Sequence, residues 1–329
     1  MSTEPAAADV LEAARRIAGH ATVTPVLRNR LLDERLGATV LVKAECLQVG
    51  GAFKFRGAYN RLSQLDAAER QHGVVAWSSG NHAQGVAGAA QRLGIRATIV
   101  MPTDAPAIKV DNTRAMGAEI VTYDRHAQDR EQIGRDLARE RGAVVVPPYD
   151  DPHIIAGQGT AALELAAQTR ALVNRDLDLF LAPCGGGGLM AGSALALSAV
   201  SPQTKLYSVE PAACDDTARS LRSGKRESNP PGARTVCDSL MPNTPGAITF
   251  PINQQRLAGG LAVTDDQALD AIAFAWRELK VVVEPGGVVA LAALLYGDLD
   301  IRGRTVGIIL SGGNVDPALY REALSRPMR

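Results

Sequence analysis

The sequence predicts an α/β fold built on mostly parallel sheets flanked by helices, and three observations carry that prediction. Short runs rich in β-branched residues alternate with longer amphipathic stretches, the pattern of strand–helix–strand units. Glycines and small polar residues cluster directly behind several of the strand-like runs, where open parallel sheets bind their ligands. The chain has 329 residues, 46% of them hydrophobic, which suits about two domains at roughly 150 residues each.

The strand-like runs are TVLVK (39–43), VVAWS (74–78), ATIVMP (97–102), EIVTY (119–123), AVVVP (143–147), LFLAP (179–183), KLYSVE (205–210) and TVGIIL (305–310). Helix-like stretches lie between them at 81–94, 125–141, 153–170, 188–199 and 265–279. Three loops follow strands: SSGN (78–81), CGGGG (184–188) and SGGN (311–314). Their common position predicts that they face one pocket. Segment 211–258 is poor in strand signals and rich in Pro, Gly, Asn and Ser. It reads as irregular surface structure and part of an active-site wall.

Composition excludes several classes. Thirty-five basic residues balance thirty-five acidic ones, so no basic field points to nucleic acid or an anionic membrane. The apolar run at 281–295 is broken by Glu284 and Pro285 and falls short of the ~20 residues a membrane span needs. The N-terminal segment, with Glu4 and Asp9, does not read as a secretion signal. Cys46, Cys184, Cys214 and Cys237 have neither disulfide-scaffold density nor CxxC spacing. The expectation is a cytoplasmic protein with reduced thiols, Cys46 and Cys184 serving as packing residues. His20, His72, His126 and His153 share no spacing and read as surface residues, and 129–142 as a solvated helix face.

Two motifs carry chemistry. Four consecutive glycines, 185–188, leave no Cβ to obstruct a ligand, so backbone N–H groups at the start of the following helix can close around an anion. The run fits neither GxGxxG nor a P-loop, and the physics points to a phosphate. Lys54 stands between Phe53 and Phe55 at the start of a helix-like stretch. Apolar neighbours and a helix N-terminus disfavour the ammonium form and make the amine more nucleophilic. The local residues alone are equally compatible with a solvated lysine, and no spacing identifies a cofactor.

Taken in order, the motifs resemble the fold-type II pyridoxal-phosphate enzymes, of tryptophan synthase β-like fold. Within them the likeness is to serine/threonine dehydratases and serine racemases. Its carriers between Thr24 and Asp316 are KAECLQVGGAFKFRGA (43–58), SSGNHAQGVA (78–87), DDPHIIAGQGT (150–160), CGGGGLMAG (184–192), VEP (209–211), VEPGG (283–287) and SGGNVD (311–316). The resemblance implies a smaller domain at 53–152 and a larger, cofactor-binding one at 1–52 with 153–329. It makes Lys54 the Schiff-base lysine and general base, and Ser79 the proton donor of the opposite face. Phe53, Asn81, Glu284 and Ser311 would surround the pyridine ring, Ser311 at its nitrogen. Gly185, Gly186, Gly187, Gly188 and Leu189 would hold the phosphate. Ser78, Ser79, Gly80, Asn81 and His82 would grip the substrate carboxylate.

The implied activity is α,β-elimination from a small β-hydroxy amino acid such as L-threonine or L-serine, yielding a 2-oxo acid and ammonia. Racemisation of serine, alone or beside elimination, and elimination from hydroxyaspartate or another modified β-hydroxy amino acid stand as alternatives. The implied cofactor is pyridoxal 5'-phosphate, and the expected assembly a homodimer or higher homo-oligomer. Glu210, Cys214 and Asp216 are candidate ligands for Mg²⁺ or Ca²⁺. Glu and Asp six residues apart after a strand end suit a hard cation, though spacing alone fits two solvated loop acids as well. In racemase-like members the equivalent of 214 contributes a backbone carbonyl. The sequence departs from the family at Ala52, at Pro147-Pro148, at Cys237-Asp238-Ser239 and at Val49-Gly50. The third departure reshapes the pocket beside the ring, and the fourth removes residues of the racemase-type nucleotide site.

Overall fold

Ten strands form two sheets in the structure, a computed structural model that describes residues 4–105, 107–125 and 127–327. The strands are β1 (Val26–Leu27), β2 (Thr39–Ala44), β3 (Val74–Trp77), β4 (Ala97–Pro102), β5 (Glu119–Tyr123), β6 (Val144–Val145), β7 (Leu179–Pro183), β8 (Lys205–Pro211), β9 (Gly259–Val263) and β10 (Thr305–Leu310). The larger sheet has the order β1-β2-β10-β7-β8-β9 and the smaller β5-β4-β3-β6. Every pairing is parallel except β1 with β2.

The side-chain alternation of a strand explains why apolar residues fill β2, β7 and β10. Val40, Val42, Leu179, Leu181 and Ile308 enter one core layer, and Leu41, Phe180, Ala182 and Ile309 enter the layer on the other face. The small sheet repeats the arrangement, with Val74, Ala76, Ile99 and Met101 on one side and Val75, Trp77, Val100 and Tyr123 on the other. Helices therefore cover both faces. The helices Lys54–Leu62 and Pro152–Val173 cross so closely that a Cβ on Gly157 would stand 2.6 Å from Gly57 Cα.

Several expectations change. The β9 edge strand was not legible in GGLAV. Segment 211–258 is more regular than expected, holding helices Asp216–Ser223 and Thr249–Arg256. The helix expected from 125 begins at Arg130, where Asp129 caps it by accepting from the N–H groups of Glu131 and Gln132. Only Val144 and Val145 of the run 143–147 pair as a strand. The apolar run at 281–295 becomes the buried helix Pro285–Tyr296. Among the described residues no helix is long and apolar enough to cross a membrane. The four cysteines are free and buried, and burial pushes the Cys46 and Cys237 thiols up to about 12. His20, His72 and His153 are exposed, while His126 lies outside the described residues.

Candidate active site

A cavity of about 920 Å³ opens at the carboxyl ends of strands from both sheets. Ser78 to His82 follow β3, Gly185 to Gly188 follow β7, and Ser311 follows β10; all line it, as do Phe53, Lys54, Leu189 and Glu284. The three strand-end loops thus face one pocket, as their position in the sequence predicts.

Lys54 begins its helix inside this cavity. Its Nζ donates to the Pro148 carbonyl at 2.7 Å and stands 5.1 Å from the Phe53 ring centroid. Loss of solvent pulls its pKa down to about 8, while the Glu284 carboxylate works in the opposite direction. Glu284 is 3% exposed. Burial first, then the charge of Asp238, pushes it up to about 7. Asn81 Nδ2 donates to Glu284 Oε1 at 2.6 Å, and Asn81 Oδ1 accepts from Asn314 Nδ2 at 2.9 Å. Asn314 also donates to the Gly50 carbonyl at 2.8 Å. The amide plane of Asn81 is therefore held from both ends.

His82 pairs its Nε2 with the Val146 carbonyl at 2.9 Å, and burial, with Lys54 nearby, pushes its pKa down to about 3. The ring is neutral, so Nε2–H donates and the buried Nδ1 is left without a protein partner. Gly80 N–H donates to Ser78 Oγ at 3.1 Å, which shapes the turn before the helix Asn81–Leu93.

The glycine loop is held from outside the cavity. Gly186 O accepts from Thr249 Oγ1 at 2.6 Å and Gly187 O from Asn253 Nδ2 at 3.3 Å. With those carbonyls engaged, the amides at the start of the helix Gly188–Val200 remain for an anion. Gly187 has φ +92, and a Cβ there would stand 2.8 Å from Thr249 Oγ1. A Cβ on Gly186 would enter the Tyr149 ring at 2.4 Å, so packing alone requires glycine at 186 and 187.

Tyr149, Asp150, Thr249, Asn253 and Asn314 were not singled out from the sequence. Asp150 accepts from the N–H groups of Ala247, Ile248 and Thr249 at 2.9, 2.8 and 3.2 Å, tying the loop after β6 to a helix about a hundred residues later. No local signal announces that contact; for Asn314 the SGGN motif was itself the signal.

Glu210 and Asp216 come together at one end of β8, away from the cavity lining. Glu210 accepts from the N–H groups of Thr217 and Ala218 at 2.9 and 2.8 Å, acting as a cap for the helix Asp216–Ser223. Asp216 Oδ1 accepts from Asn229 at 2.6 Å, and its buried Oδ2 has no partner. Burial, reinforced by Asp216, pushes Glu210 up to about 8, and burial pushes Asp216 up to about 6. Cys214 adds only a buried thiol of raised pKa. The three-residue site expected from the sequence is not assembled from side chains: among the described residues no group of three or more His, Cys, Asp or Glu is arranged to hold a metal ion. What remains is an acid pair with one orphaned oxygen.

A family model, "Pyridoxal-phosphate dependent enzyme", matches residues 17–312. The chain belongs to that family. It is 48% identical to the L-threo-3-hydroxyaspartate ammonia-lyase of Pseudomonas sp over 316 residues, 96% of this chain and 97% of that one. It is 46% identical to the enzyme of that name in Saccharomyces cerevisiae over 322 residues, 98% of this chain and 97% of that one. The crystal structure of the T.th. threonine deaminase superposes with a TM-score of 0.89 at 45% identity, covering 95% of this chain and 99% of that one. The residues lining the cavity fit the cofactor of the family. An amine whose pKa is lowered to about 8, backbone amides at the start of a helix and a buried hydroxyl at Ser311 match an aldehyde, a phosphate and a pyridine nitrogen.

Proposed function

We propose that this pyridoxal-phosphate enzyme is an ammonia-lyase for small β-hydroxy amino acids, with a substrate that bears a second carboxylate, L-threo-3-hydroxyaspartate, preferred over L-threonine and L-serine. One observation carries the preference: five cationic side chains besides Lys54, namely Lys109, Arg125, Arg130, Arg135 and Arg226, line the cavity. Four carboxylates share the lining, and Lys109, Arg125 and Arg135 are held in ion pairs with Asp238, Asp104 and Glu131, so a second substrate carboxylate would bind by displacing one of these partners or at Arg130 and Arg226, which stand outside those pairs. The identity with the two hydroxyaspartate enzymes supports the same reading.

Bound in the cavity, pyridoxal phosphate supplies an electron sink for the charge left when the Cα proton departs. Lys54, with its pKa lowered to about 8, anchors the cofactor and then takes that proton as general base. Amides of Gly185 to Leu189 bind the phosphate. Phe53 and Asn81 flank the ring, Glu284 orients Asn81, and Ser311 offers a hydroxyl to the pyridine nitrogen. Ser78, Ser79, Gly80, Asn81 and His82 grip the α-carboxylate. The β-hydroxyl leaves as water, and hydrolysis of the released enamine yields ammonia and a 2-oxo acid, oxaloacetate from hydroxyaspartate. Segment 53–152 serves as the smaller domain against 1–52 and 153–329.

The test is a panel of L-threo-3-hydroxyaspartate, L-threonine and L-serine, assayed for 2-oxo acid and ammonia, with chiral analysis of the remaining amino acid. The expected order of kcat/KM is hydroxyaspartate first. Ser79 favours a second reading, racemisation, because its loop lines the cavity with Lys54; D-serine accumulating faster than pyruvate would replace elimination by it. Borohydride should fix the cofactor mass on the Lys54 peptide, and Lys54→Ala should abolish turnover.

We also propose a divalent cation, Mg²⁺ or Ca²⁺, between Glu210 and Asp216 with the Cys214 carbonyl. The orphaned Asp216 Oδ2 supports it. A chelator should lower the Tm and either cation restore it by mass action; an unchanged Tm and no metal by elemental analysis would remove the site.

A further inference from the structure

The cationic wall is uneven, and one member differs from the rest. Arg125 is paired with Asp104 at 2.7 Å and its side chain is 46% exposed. Arg135 is paired with Glu131 at 2.6 Å, lies over the Trp77 ring and is 53% exposed. Arg226 donates to the Pro245 carbonyl and is exposed, as is Arg130. Water screens all four. Lys109, on the helix Ala107–Ala115, is only 16% exposed. A charge held at that depth interacts more strongly with a partner than an exposed one does.

The partner of Lys109 is Asp238, at 3.0 Å, whose side chain is 61% exposed. A well-sheltered cation thus answers a carboxylate that can turn to water at little cost. Asp238 opens the short turn Asp238–Leu240 on the opposite wall of the cavity. Its neighbour Ser239 hydrogen-bonds the Glu284 carboxylate, which in turn holds Asn81. The ion pair therefore spans the cleft beside the substrate-facing loop, at the triplet where the sequence departs from its family.

We propose that Lys109 is the specificity-determining residue for a second substrate carboxylate, and that Asp238 occupies its place until substrate arrives. The proposal rests on the dicarboxylate reading of the preceding section. The distal carboxylate takes over the Lys109 ammonium, Asp238 swings to solvent, and no bond is made or broken. A monocarboxylate substrate leaves the Lys109–Asp238 pair intact and gains nothing from it.

The experiment uses the holoenzyme and two variants, Lys109→Met and Asp238→Asn. The inhibition constants of succinate and propionate are measured against whichever substrate is turned over. The wild type should bind succinate about tenfold more tightly than propionate, the size expected of one charge-assisted hydrogen bond. Lys109→Met should erase that gap. Asp238→Asn should widen it, because the competing carboxylate is gone. Lys109→Met should also lower the ratio of kcat/KM for hydroxyaspartate over L-serine by about tenfold, through KM. A gap that survives Lys109→Met, a wild type without a gap, or an equal loss in both variants, as a merely structural pair would give, overturns the proposal. If the gap responds as expected and hydroxyaspartate is still a poor substrate, the function assigned above fails and the role of Lys109 stands.

Discussion

Two residues of the helix Lys54–Leu62 face opposite worlds. Arg56 turns into a closed cluster behind the helix. It donates to Glu45 at 2.7 and 2.8 Å and to Glu164 at 2.7 and 2.8 Å, and Glu164 also accepts from Lys43 at 2.7 Å. Burial acts against the charge on Glu45, but the Arg56 guanidinium outweighs it and holds the carboxyl below its ordinary value. Two cations answer two carboxylates there. Lys54, two residues earlier, turns into the cavity. Its neighbours Glu284 and His82 are buried without an ion pair, and all three pKa values move toward the neutral form. Pairing keeps buried charge where the fold needs it, and its absence leaves Lys54 and Glu284 able to exchange protons near neutral pH and His82 neutral throughout that range.

Arg56→Met is the strongest way to break the closed cluster. It leaves Lys43 alone to answer both carboxylates, with the fully buried Glu45 deprived of its ion-pair partner, and should cost about 3–5 kcal/mol in urea unfolding. The pH response follows the sign of the Glu45 shift. A lowered carboxyl stabilises above its unfolded value of 4.5 and loses that contribution as pH falls through the lower folded value. The variant should lose this acid limb. A cost under about 1 kcal/mol would mean the charges are not mutually compensated.

The reactive side sharpens through Lys54. Only the neutral amine captures an aldehyde, so cofactor uptake by the apoprotein, followed by absorbance, should rise with pH around a midpoint near 8. An unperturbed lysine would place the midpoint near 10.5, and that result would erase the contrast with Arg56.

Glu284→Gln is the smallest of the three changes. The folded value of about 7 lies above the ordinary 4.5, so the native state holds a proton that the unfolded chain has released. Stability from this group is complete below 4.5 and lost as pH rises through 7. Glutamine keeps the acceptor for Asn81 without the charge. At pH 8 the variant should be more stable by about 3 kcal/mol, and the advantage should vanish at pH 4. Equal stability of variant and wild type at pH 8 would show that the buried carboxylate carries no penalty.

Much of the fold was legible because β3, β7 and β10 are apolar on both faces and the loops that follow them carry glycine or serine. What escaped depended on distant neighbours. GGLAV looks like a turn, yet it forms an edge strand because Ala218 packs against Gly260, where a Cβ would stand 2.7 Å from its Cα. The helix Asp216–Ser223 starts where it does because Glu210 caps it from the end of β8. Tyr149 and Thr249 support the glycine loop from far along the chain, and Lys109 gives no local sign of facing Asp238.

The order of amino acids is enough to set the alternation of strands and helices, the glycine cradle at 185–188 and the apolar setting of Lys54. These depend on local steric freedom and on the period of hydrophobic side chains, which a short segment contains in full. Which charges are paired is a matter for the folded chain alone. Lys54 and Arg56 are near neighbours in one motif, and nothing local assigns a carboxylate to one and withholds it from the other. Glu164 reaches Arg56 from 108 residues away, and Glu284 approaches the cavity through Asn81 across 203. Desolvation and Coulomb energy depend on distance in space, so the ionisation of these groups was settled when the chain folded.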